Sequence, residues 1–234
     1  MSVIHKIIIL ANERRLKIVI KEGIRFRIYL PVIRYYNLLL DNYYRIDTEI
    51  RIELSSLGID DNIGHRHEST SIRHITKIMK TLNISEGDVF LDVGSGKGRV
   101  LLVAGRYPFK KIIGVDVSSE INKICQENVR RMKSKLKCNN IQTITSNAAN
   151  FKIPKDITHV YFFNRFGLNV MKSVIDSIYN SITNYPRKIV LIYYNPKFEK
   201  EIESIFSIER LKEIKWHNCG LFDSRCIIYE IGNI

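Results

Sequence analysis

The 234-residue sequence predicts an α/β protein in which helices cover both faces of a seven-stranded, mostly parallel sheet, with a helical extension at the N-terminal side. Two patterns predict this fold class. From residue 88 onward, short runs rich in Val, Ile and Phe alternate with segments of helical apolar spacing, as in repeated β–α–β units. The chain then finishes with two strand-like runs that have no helix of normal length between them. We therefore expect an antiparallel hairpin at one edge of the sheet.

The composition fits one such domain with an appendage, which we divide into residues 1–65 and 66–234. Hydrophobic residues make up 45% of the chain, enough for a packed core. Lys and Arg outnumber Asp and Glu by 37 to 24, giving a formal net charge of +13, which favours an acidic partner or an anionic surface. The excess is spread along the chain, so solvated basic faces explain it equally well.

The four cysteines, at positions 125, 138, 219 and 226, form no C-x-x-C pair, and no His cluster has metal-ligand spacing. We expect no metal site and reduced thiols, as in the cytoplasm. The short apolar run at residues 7–10 is followed by charged residues, and no run of about 18 uncharged apolar residues exists. These features predict a cytoplasmic protein without a signal peptide or a transmembrane segment.

The extension, residues 1 to about 45, interleaves basic residues with Ile, Leu, Val and Tyr at helical spacing. The spacing predicts two helices, broken near Gly23 or Pro31. Their basic amphipathic surface could bind a membrane, nucleic acid or a partner. The favoured alternative is that the apolar stripe packs on the main domain or on a second copy, since amphipathic helices normally bury that stripe.

Residues 46–69 predict an irregular connection, after which Ser69 and Thr70 open a helix that runs to about Leu82. The alternating elements then follow in order. The predicted strands are 89–91, 111–115, 141–145, 158–163, 188–194, 206–216 and 225–231, and the predicted helices between them run to about 106 and over 119–136 and 168–183.

The strongest motif is the glycine loop Asp92-Val93-Gly94-Ser95-Gly96-Lys97-Gly98, which directly follows a strand and opens a helix. Its glycines allow a sharp bend and the close approach of a ligand, and the helix N-terminus offers free N–H groups. A dinucleotide site expects a third glycine at position 99, where Arg99 stands. The carboxylate of Asp92 suits an ammonium group and repels a pyrophosphate. The pattern resembles motif I of class I S-adenosylmethionine-dependent methyltransferases, whose cofactor carries an ammonium, a sulfonium and no phosphate.

Two further segments suit a nucleoside. Asp116 and Val117 end the second strand, where the acid can accept hydrogen bonds from both ribose hydroxyls. Asp116 could instead cap the next helix, a role that Ser118 or Ser119 fills equally well. After the third strand, Asn147 and Ala148 stand where methyltransferases often carry Asp-Ala, and Phe151 could cover the adenine face. The Asn147 amide oxygen can still accept from the adenine amino group, and Asn150 is a second candidate for that contact.

Three segments together narrow the resemblance. Glu68-Ser69-Thr70 precedes the helix that leads into the glycine loop, and the fourth strand ends in Phe162-Phe163-Asn164-Arg165-Phe166. Over about residues 66–195 this layout resembles the disruptor-of-telomeric-silencing type of non-SET protein-lysine methyltransferase and small prokaryotic proteins of the same layout. The resemblance implies a Rossmann-like class I methyltransferase fold.

The same resemblance implies roles for four side chains. Glu68 and Thr70 would lie over the methionine end of the cofactor. Asn164 would sit beside the transferred methyl group, where its side-chain oxygen can accept from an amine, and Phe166 would wall a narrow acceptor channel. The alternative for Asn164 is an Asx turn that caps the following helix. Arg165 departs from expectation, because a cation there would repel a lysine ammonium or bind an acidic substrate group.

The sequence thus predicts an enzyme that binds S-adenosylmethionine and transfers its methyl group to an unidentified acceptor, with a preference for a nitrogen, such as a protein lysine, on a macromolecule. Three alternatives stay open. They are an NAD-dependent or nucleotide-sugar enzyme on a Rossmann sheet, a non-catalytic cofactor- or nucleic-acid-binding module, and a small-molecule or lipid methyltransferase at a membrane surface.

Overall fold

The computed structural model describes residues 30–49, 69–163, 166–218 and 222–232. Its seven-stranded sheet has the order β3-β2-β1-β4-β5-β7-β6. The strands are β1 Val89–Val93, β2 Lys111–Asp116, β3 Ile141–Thr145, β4 His159–Phe163, β5 Ile189–Tyr194, β6 Glu209–Asn218 and β7 Phe222–Ile231. The strands from β3 to β5 pair in parallel, and β7 runs antiparallel between β5 and β6. The predicted mostly parallel sheet with a closing hairpin is confirmed.

The sheet is covered on both faces, which explains why its central strands are continuous apolar runs. All five residues of β1 are buried. Neighbouring residues point to opposite faces: Tyr161 belongs to one core cluster, and Phe162 belongs to the other. The cluster that contains Phe162 is completed by the apolar face of the helix after β4, and the cluster that contains Tyr161 by the helices on either side of β1.

Six α-helices are present among the described residues. They are α1 Leu30–Tyr44, α2 Ile72–Thr81, α3 Arg99–Ala104, α4 Ser119–Met132, α5 Leu168–Asn184 and α6 Glu199–Ile205. Helix α4 ends four residues before the predicted position, because the chain tightens there into a 3₁₀ turn at Lys133–Lys135. No helix of this part of the chain is long and apolar enough to cross a bilayer.

Helix α2 begins at Ile72 rather than at the predicted Ser69-Thr70. The Thr70 hydroxyl lies 2.7 Å from the hydroxyl of Tyr161 and is therefore not used to cap the helix. The helix still presents the predicted apolar face, with Ile75, Ile78 and Met79 buried against the sheet.

The chain after α1 is held in a tight turn by one buried carboxylate. Asp41 accepts hydrogen bonds from the Thr48 backbone N–H at 2.6 Å, the Thr48 hydroxyl at 2.8 Å and the Glu49 backbone N–H at 2.8 Å. In the same turn, the side chain of Asn128 in α4 accepts a hydrogen bond from the Asp47 N–H and donates one to the Asp47 carbonyl. The start of the predicted irregular connection is therefore packed against the main domain.

This turn generates a stability prediction. The change Asp41→Ala leaves three donors without their charged acceptor, so we expect the free energy of unfolding to fall by about 2–4 kcal/mol. Urea unfolding followed by circular dichroism measures the loss. The exposed neighbour supplies the control: Asn42→Ala should stay within about 0.5 kcal/mol of the unmodified protein. Equal stability of the two variants would show that the carboxylate does not hold the turn.

Candidate active site

The carboxyl ends of β1 and β4 meet where the strand order reverses. From β1, the chain builds β2 and β3 on one side and β4 and β5 on the other. Open α/β sheets bind ligands in the crevice at such a switch point. The glycine loop leaves β1 here, and the segments after β2, β3 and β4 end at the same edge. The topology thus brings together the sequence-predicted segments that the structure describes.

The glycine loop uses backbone dihedral angles that residues with a side chain rarely adopt. Gly94, Gly96 and Gly98 have φ values of 81°, 53° and 85°, in the left-handed region where glycine is unstrained. The N–H groups of Gly94 and Ser95 donate to the Val115 carbonyl at 2.8 and 3.0 Å. The loop is therefore hydrogen-bonded to the end of β2, and these bonds hold its position without a ligand.

Close packing beneath the loop explains two of the small residues. A Cβ on Gly98 would overlap the Cys125 Sγ, and a Cβ on Gly114 would lie 2.8 Å from the Ser95 Oγ and 2.6 Å from a Leu101 methyl carbon. The close packing at Gly114 is not predicted from the sequence, where a glycine inside a β-branched strand is its one local indication. Burial, followed by the charges of Asp92 and Asp116, raises the pKa of the Cys125 thiol well above its ordinary value, so this cysteine is a neutral packing residue.

Asp116 has one role in the loop and is not the helix cap. It accepts from the Gly96 N–H at 2.9 Å through one oxygen and from the Ser118 N–H at 3.0 Å through the other. Helix α4 is capped by the Ser118 hydroxyl, which accepts from the Ile121 N–H at 3.2 Å. An ionised carboxylate has about four acceptor sites, so these two bonds do not by themselves use its full capacity. Its neighbour Val117 is more than one-third exposed at the same edge.

Asp92 lies inside the sheet, with Gly114 and Tyr161 as its neighbours on β2 and β4. Its side chain is only 2% exposed. Its carboxyl group therefore lies beneath the loop, in a surrounding of low polarity where charges are screened weakly.

Both cations of the loop are paired away from the crevice. The Lys97 ammonium, 3% exposed, lies 2.7 Å from the Asp47 carboxylate. The Arg99 guanidinium contacts Glu49 at 2.5 Å and donates to the Thr48 hydroxyl at 2.9 Å. No local sequence pattern predicts these pairs, since their partners lie about fifty residues away along the chain. Among the described residues at this sheet edge, the two cations are thus neutralised by partners, while Asp92 and Asp116 are acidic.

Two buried hydrogen bonds connect the start of α2 to the sheet. Thr70, predicted to lie over the cofactor, is bonded to Tyr161, and burial raises the pKa of that tyrosine well above its ordinary value. The His74 Nδ1 lies 2.7 Å from the Tyr194 hydroxyl, and its ring stacks on Trp216. Burial, followed by the nearby charges of Arg73 and Lys77, lowers the pKa of His74 to about 4. The ring is therefore neutral near pH 7, and its role is to fix position.

The segment after β3 forms a small turn. The Asn147 side-chain oxygen accepts from the Ala149 N–H at 2.9 Å and caps the 3₁₀ turn Ala148–Asn150. The same oxygen is the one predicted to accept from the adenine amino group. Because it already accepts from the Ala149 N–H, it has one lone pair left for a ligand. Asn147 and Asn150 are exposed, Ala148 is buried in the core, and Phe151 is half-buried against it. The structure therefore does not choose between the two asparagines.

The side chain of Phe166 packs against the glycine loop. Its ring centroid lies 5.1 Å from that of Phe162, and a Cβ on Gly94 would come within 2.8 Å of its Cζ atom. Glu68, Asn164 and Arg165 lie outside the described residues, so their predicted roles stay predictions. Among the residues that are described, no cluster of His, Cys, Asp or Glu could hold a metal ion.

The comparisons with known proteins agree with this architecture. Residues 67–175 match the model of the family described as histone methylation protein DOT1. The chain is 24% identical over 133 residues to the ribosomal protein L11 methyltransferase of Aquifex aeolicus, covering 56% of this chain and 49% of that protein. It thus spans about half the length of that curated relative.

Two solved structures share the fold. An RNA methyltransferase from Salinibacter ruber, in complex with S-adenosyl-L-homocysteine, superposes with a TM-score of 0.53 at 12% identity and covers 71% of this chain and 95% of that one. A tRNA m1G37 methyltransferase from M. jannaschii gives 0.51 at 18% identity, covering 69% and 49%. Fold, glycine loop and family match together define a class I S-adenosylmethionine-dependent methyltransferase domain. Within that class, the match of residues 67–175 is to the DOT1 family model, as the resemblance had indicated.

The packing beneath the loop generates a prediction. Gly98→Ala puts a side chain on a left-handed residue and against the Cys125 Sγ, so we expect a loss of about 2–3 kcal/mol in unfolding free energy. A double-mutant cycle with Cys125→Ala should show positive coupling, because the smaller residue removes the overlap but not the backbone strain.

The matched control is Gly87→Ala, where an added Cβ would meet only the Ser85 Oγ at 3.8 Å. Its stability should be unchanged within about 0.5 kcal/mol. Additive losses for Gly98→Ala and Cys125→Ala would contradict the proposed contact.

Proposed function

We propose that the protein transfers a methyl group from S-adenosylmethionine to a nitrogen nucleophile of a protein, with a lysine side chain as the leading candidate. The observation that carries the cofactor part is electrostatic. Asp116 lies at the switch-point crevice and Asp92 lies buried beneath its glycine loop, while Lys97 and Arg99 are paired with Asp47 and Glu49. An acidic crevice favours a ligand with an ammonium and a sulfonium.

The same charges argue against a dinucleotide. A pyrophosphate at this loop would need positive charge from the helix N-terminus or from a loop cation. Helix α3 is short, and Lys97 and Arg99 are buried in ion pairs. The residues present therefore suit the methyl donor better than NAD, with the glycine backbone approaching the ligand and Asp116 holding the ribose.

When bound, the cofactor supplies an electrophilic methyl group on a sulfonium. The protein's task is to align a neutral nucleophile with it and to exclude water. Phe166, packed between Phe162 and Gly94, would form one wall of the acceptor channel. Asn164, two residues before it, would orient the attacking amine through its side-chain oxygen.

The preference for a protein acceptor comes from the sequence matches. The DOT1 family is described by histone methylation, and the A. aeolicus relative is named for a ribosomal protein. The two solved structures named for RNA or tRNA methylation share the fold at 18% identity or less. A shared fold at this level of identity gives no information about the substrate. RNA, a lipid, a small molecule or no acceptor at all are the alternatives that the experiments separate.

The cofactor is tested by calorimetric titration of S-adenosylmethionine, S-adenosylhomocysteine and NAD into the protein. We expect micromolar binding of the first two and none of NAD. The change Asp116→Asn should weaken binding at least about 10-fold, through loss of a charged acceptor. Asp176→Asn, on the exposed side of α5, is the matched control and should leave it unchanged. Preference for NAD, or equal binding by both variants, would refute the site.

The acceptor is tested with methyl-labelled donor and cell extract, divided into samples treated with protease, ribonuclease or organic solvent. We expect label that only protease releases, and that elutes with methyl-lysine after acid hydrolysis. Asn164→Ala should lower the rate at least about 100-fold while cofactor affinity stays within about 3-fold. Label released by ribonuclease or solvent would instead assign RNA or lipid, and cofactor binding without any transfer would favour the non-catalytic module.

The buried Tyr161 hydroxyl gives a further prediction. Tyr161→Phe leaves the Thr70 hydroxyl without its partner, so the segment before α2 is less fixed. If Thr70 contacts the cofactor, we expect its dissociation constant to rise about 3- to 10-fold. Tyr229→Phe removes another buried hydroxyl, which is bonded at 3.0 Å to Glu203 away from the crevice, and should leave cofactor affinity unchanged. Equal effects of the two variants would show a general loss of stability only.

A further inference from the structure

A groove of about 970 Å³ lies between α1 and the pair α2 and α3, separate from the crevice. None of the residues assigned to the cofactor lines it. Its apolar lining is mainly aliphatic: Val32, Ile33, Leu40, Ile46, Ile72, Leu102, Val103 and Met132. Such a lining favours an apolar occupant rather than water.

The rim of the groove is basic. Arg73, Lys77 and Lys80 stand on the exposed side of α2 at spacings of four and three, and Arg106 stands beyond the end of α3. None of these four cations forms an ion pair within the described part of the chain. The lining contains one carboxylate, that of Asp41, which is buried and accepts from its own turn. The rim therefore presents uncompensated positive charge.

An apolar row continues the groove along the outer side of α1. Val32, Tyr35, Tyr36, Leu39 and Tyr43 are 61%, 65%, 55%, 49% and 78% exposed, at the spacing of one helix face. A contiguous exposed apolar surface beside a groove is typical of a binding site for another protein. Together, the groove floor and this row offer apolar contact, and the α2 rim offers charge.

We propose that this groove binds an amphipathic α-helix of a partner protein, whose apolar stripe lies on the aliphatic floor and whose acidic flank faces Arg73, Lys77, Lys80 and Arg106. Helix-in-groove recognition needs these two elements, an elongated apolar floor between helices and a charged rim of opposite sign to the ligand. The proposal concerns a surface outside the crevice and holds whichever methyl acceptor the enzyme uses.

Other occupants fit less well. Single-stranded nucleic acid needs free aromatic faces for base stacking. Of the two tyrosines that line this groove, Tyr44 already has the Arg106 guanidinium 5.5 Å from its ring and the edge of Tyr43 against it, so Tyr36 is the lining tyrosine left with an exposed face. Residues 1–29 carry seven Lys or Arg residues and two acidic ones, the same sign as the rim. A flat membrane surface would contact the exposed tyrosines of α1 but would not reach the apolar floor of the groove.

The test uses the full chain and a fluorescein-labelled designed peptide of about 18 residues, or five helical turns, with a leucine stripe flanked by glutamates. We expect binding on the order of 10 µM by fluorescence anisotropy at low salt. The same peptide with lysine in place of glutamate, a single-stranded RNA of similar length, and vesicles of phosphatidylcholine and phosphatidylserine serve as competitors.

The variants separate the groove from general charge. Lys77→Glu with Lys80→Glu, and separately Tyr36→Glu, should each weaken peptide binding at least about 10-fold. Lys152→Glu with Lys200→Glu makes the same charge change at exposed positions outside the groove lining and should have little effect. All variants should retain the cofactor affinity of the unmodified protein, which shows that they fold.

Either of two results would overturn the proposal. One is an absence of peptide binding, or binding that the control variant weakens as much as the groove variant. The other is tighter binding of RNA or vesicles than of the acidic peptide, with dependence on Lys77 and Lys80, which would assign the groove to that ligand instead.

Discussion

The active-site edge depends on the way the glycine loop is joined to the end of β2. Three backbone N–H groups of the loop, from Gly94, Ser95 and Gly96, donate to the Val115 carbonyl and the Asp116 carboxylate. These bonds require left-handed backbone at the glycines, so the loop cannot be built from other residues without strain. The bonds make the loop part of the sheet, and they hold in place the acid proposed to bind ribose. The glycine loop is thus preorganised, and binding need not order it.

The second determinant is the way the segment after α1 sets the charge of this edge. Asp47 and Glu49 pair with Lys97 and Arg99, and Asp41 fixes the turn that carries them. Buried cations without these partners would be strongly disfavoured and would bias the crevice toward anions. Residues 41–49 therefore influence the proposed cofactor site electrostatically. The boundary drawn at residue 65 remains a prediction.

Local pattern was enough for the sheet and for the loop, because β–α–β alternation and glycine spacing are properties of neighbouring residues. It was insufficient for the supporting contacts. Thr70 and Tyr161 are 91 residues apart, and His74 and Tyr194 are 120 apart. Nothing in the sequence around His74 distinguishes it from a surface residue of α2, and only the packing of α2 on the sheet brings it to Trp216. Asn147 shows the converse: its position was predictable, but its use in a turn depends on backbone geometry.

The two surfaces of the protein have opposite character for one structural reason. Asp47 and Glu49 pair with Lys97 and Arg99 and do not line the groove, and Asp41, which does line it, accepts from its own turn, so the α2 rim keeps its cations. Part of the net charge of +13 is thereby concentrated at one groove, although along the sequence the excess is evenly spread. A cationic cofactor and an acidic partner helix would then approach different faces without competing. Salt screens the charges of the groove rim beyond a Debye length, about 10 Å at moderate salt, which limits their effect on the field at the crevice.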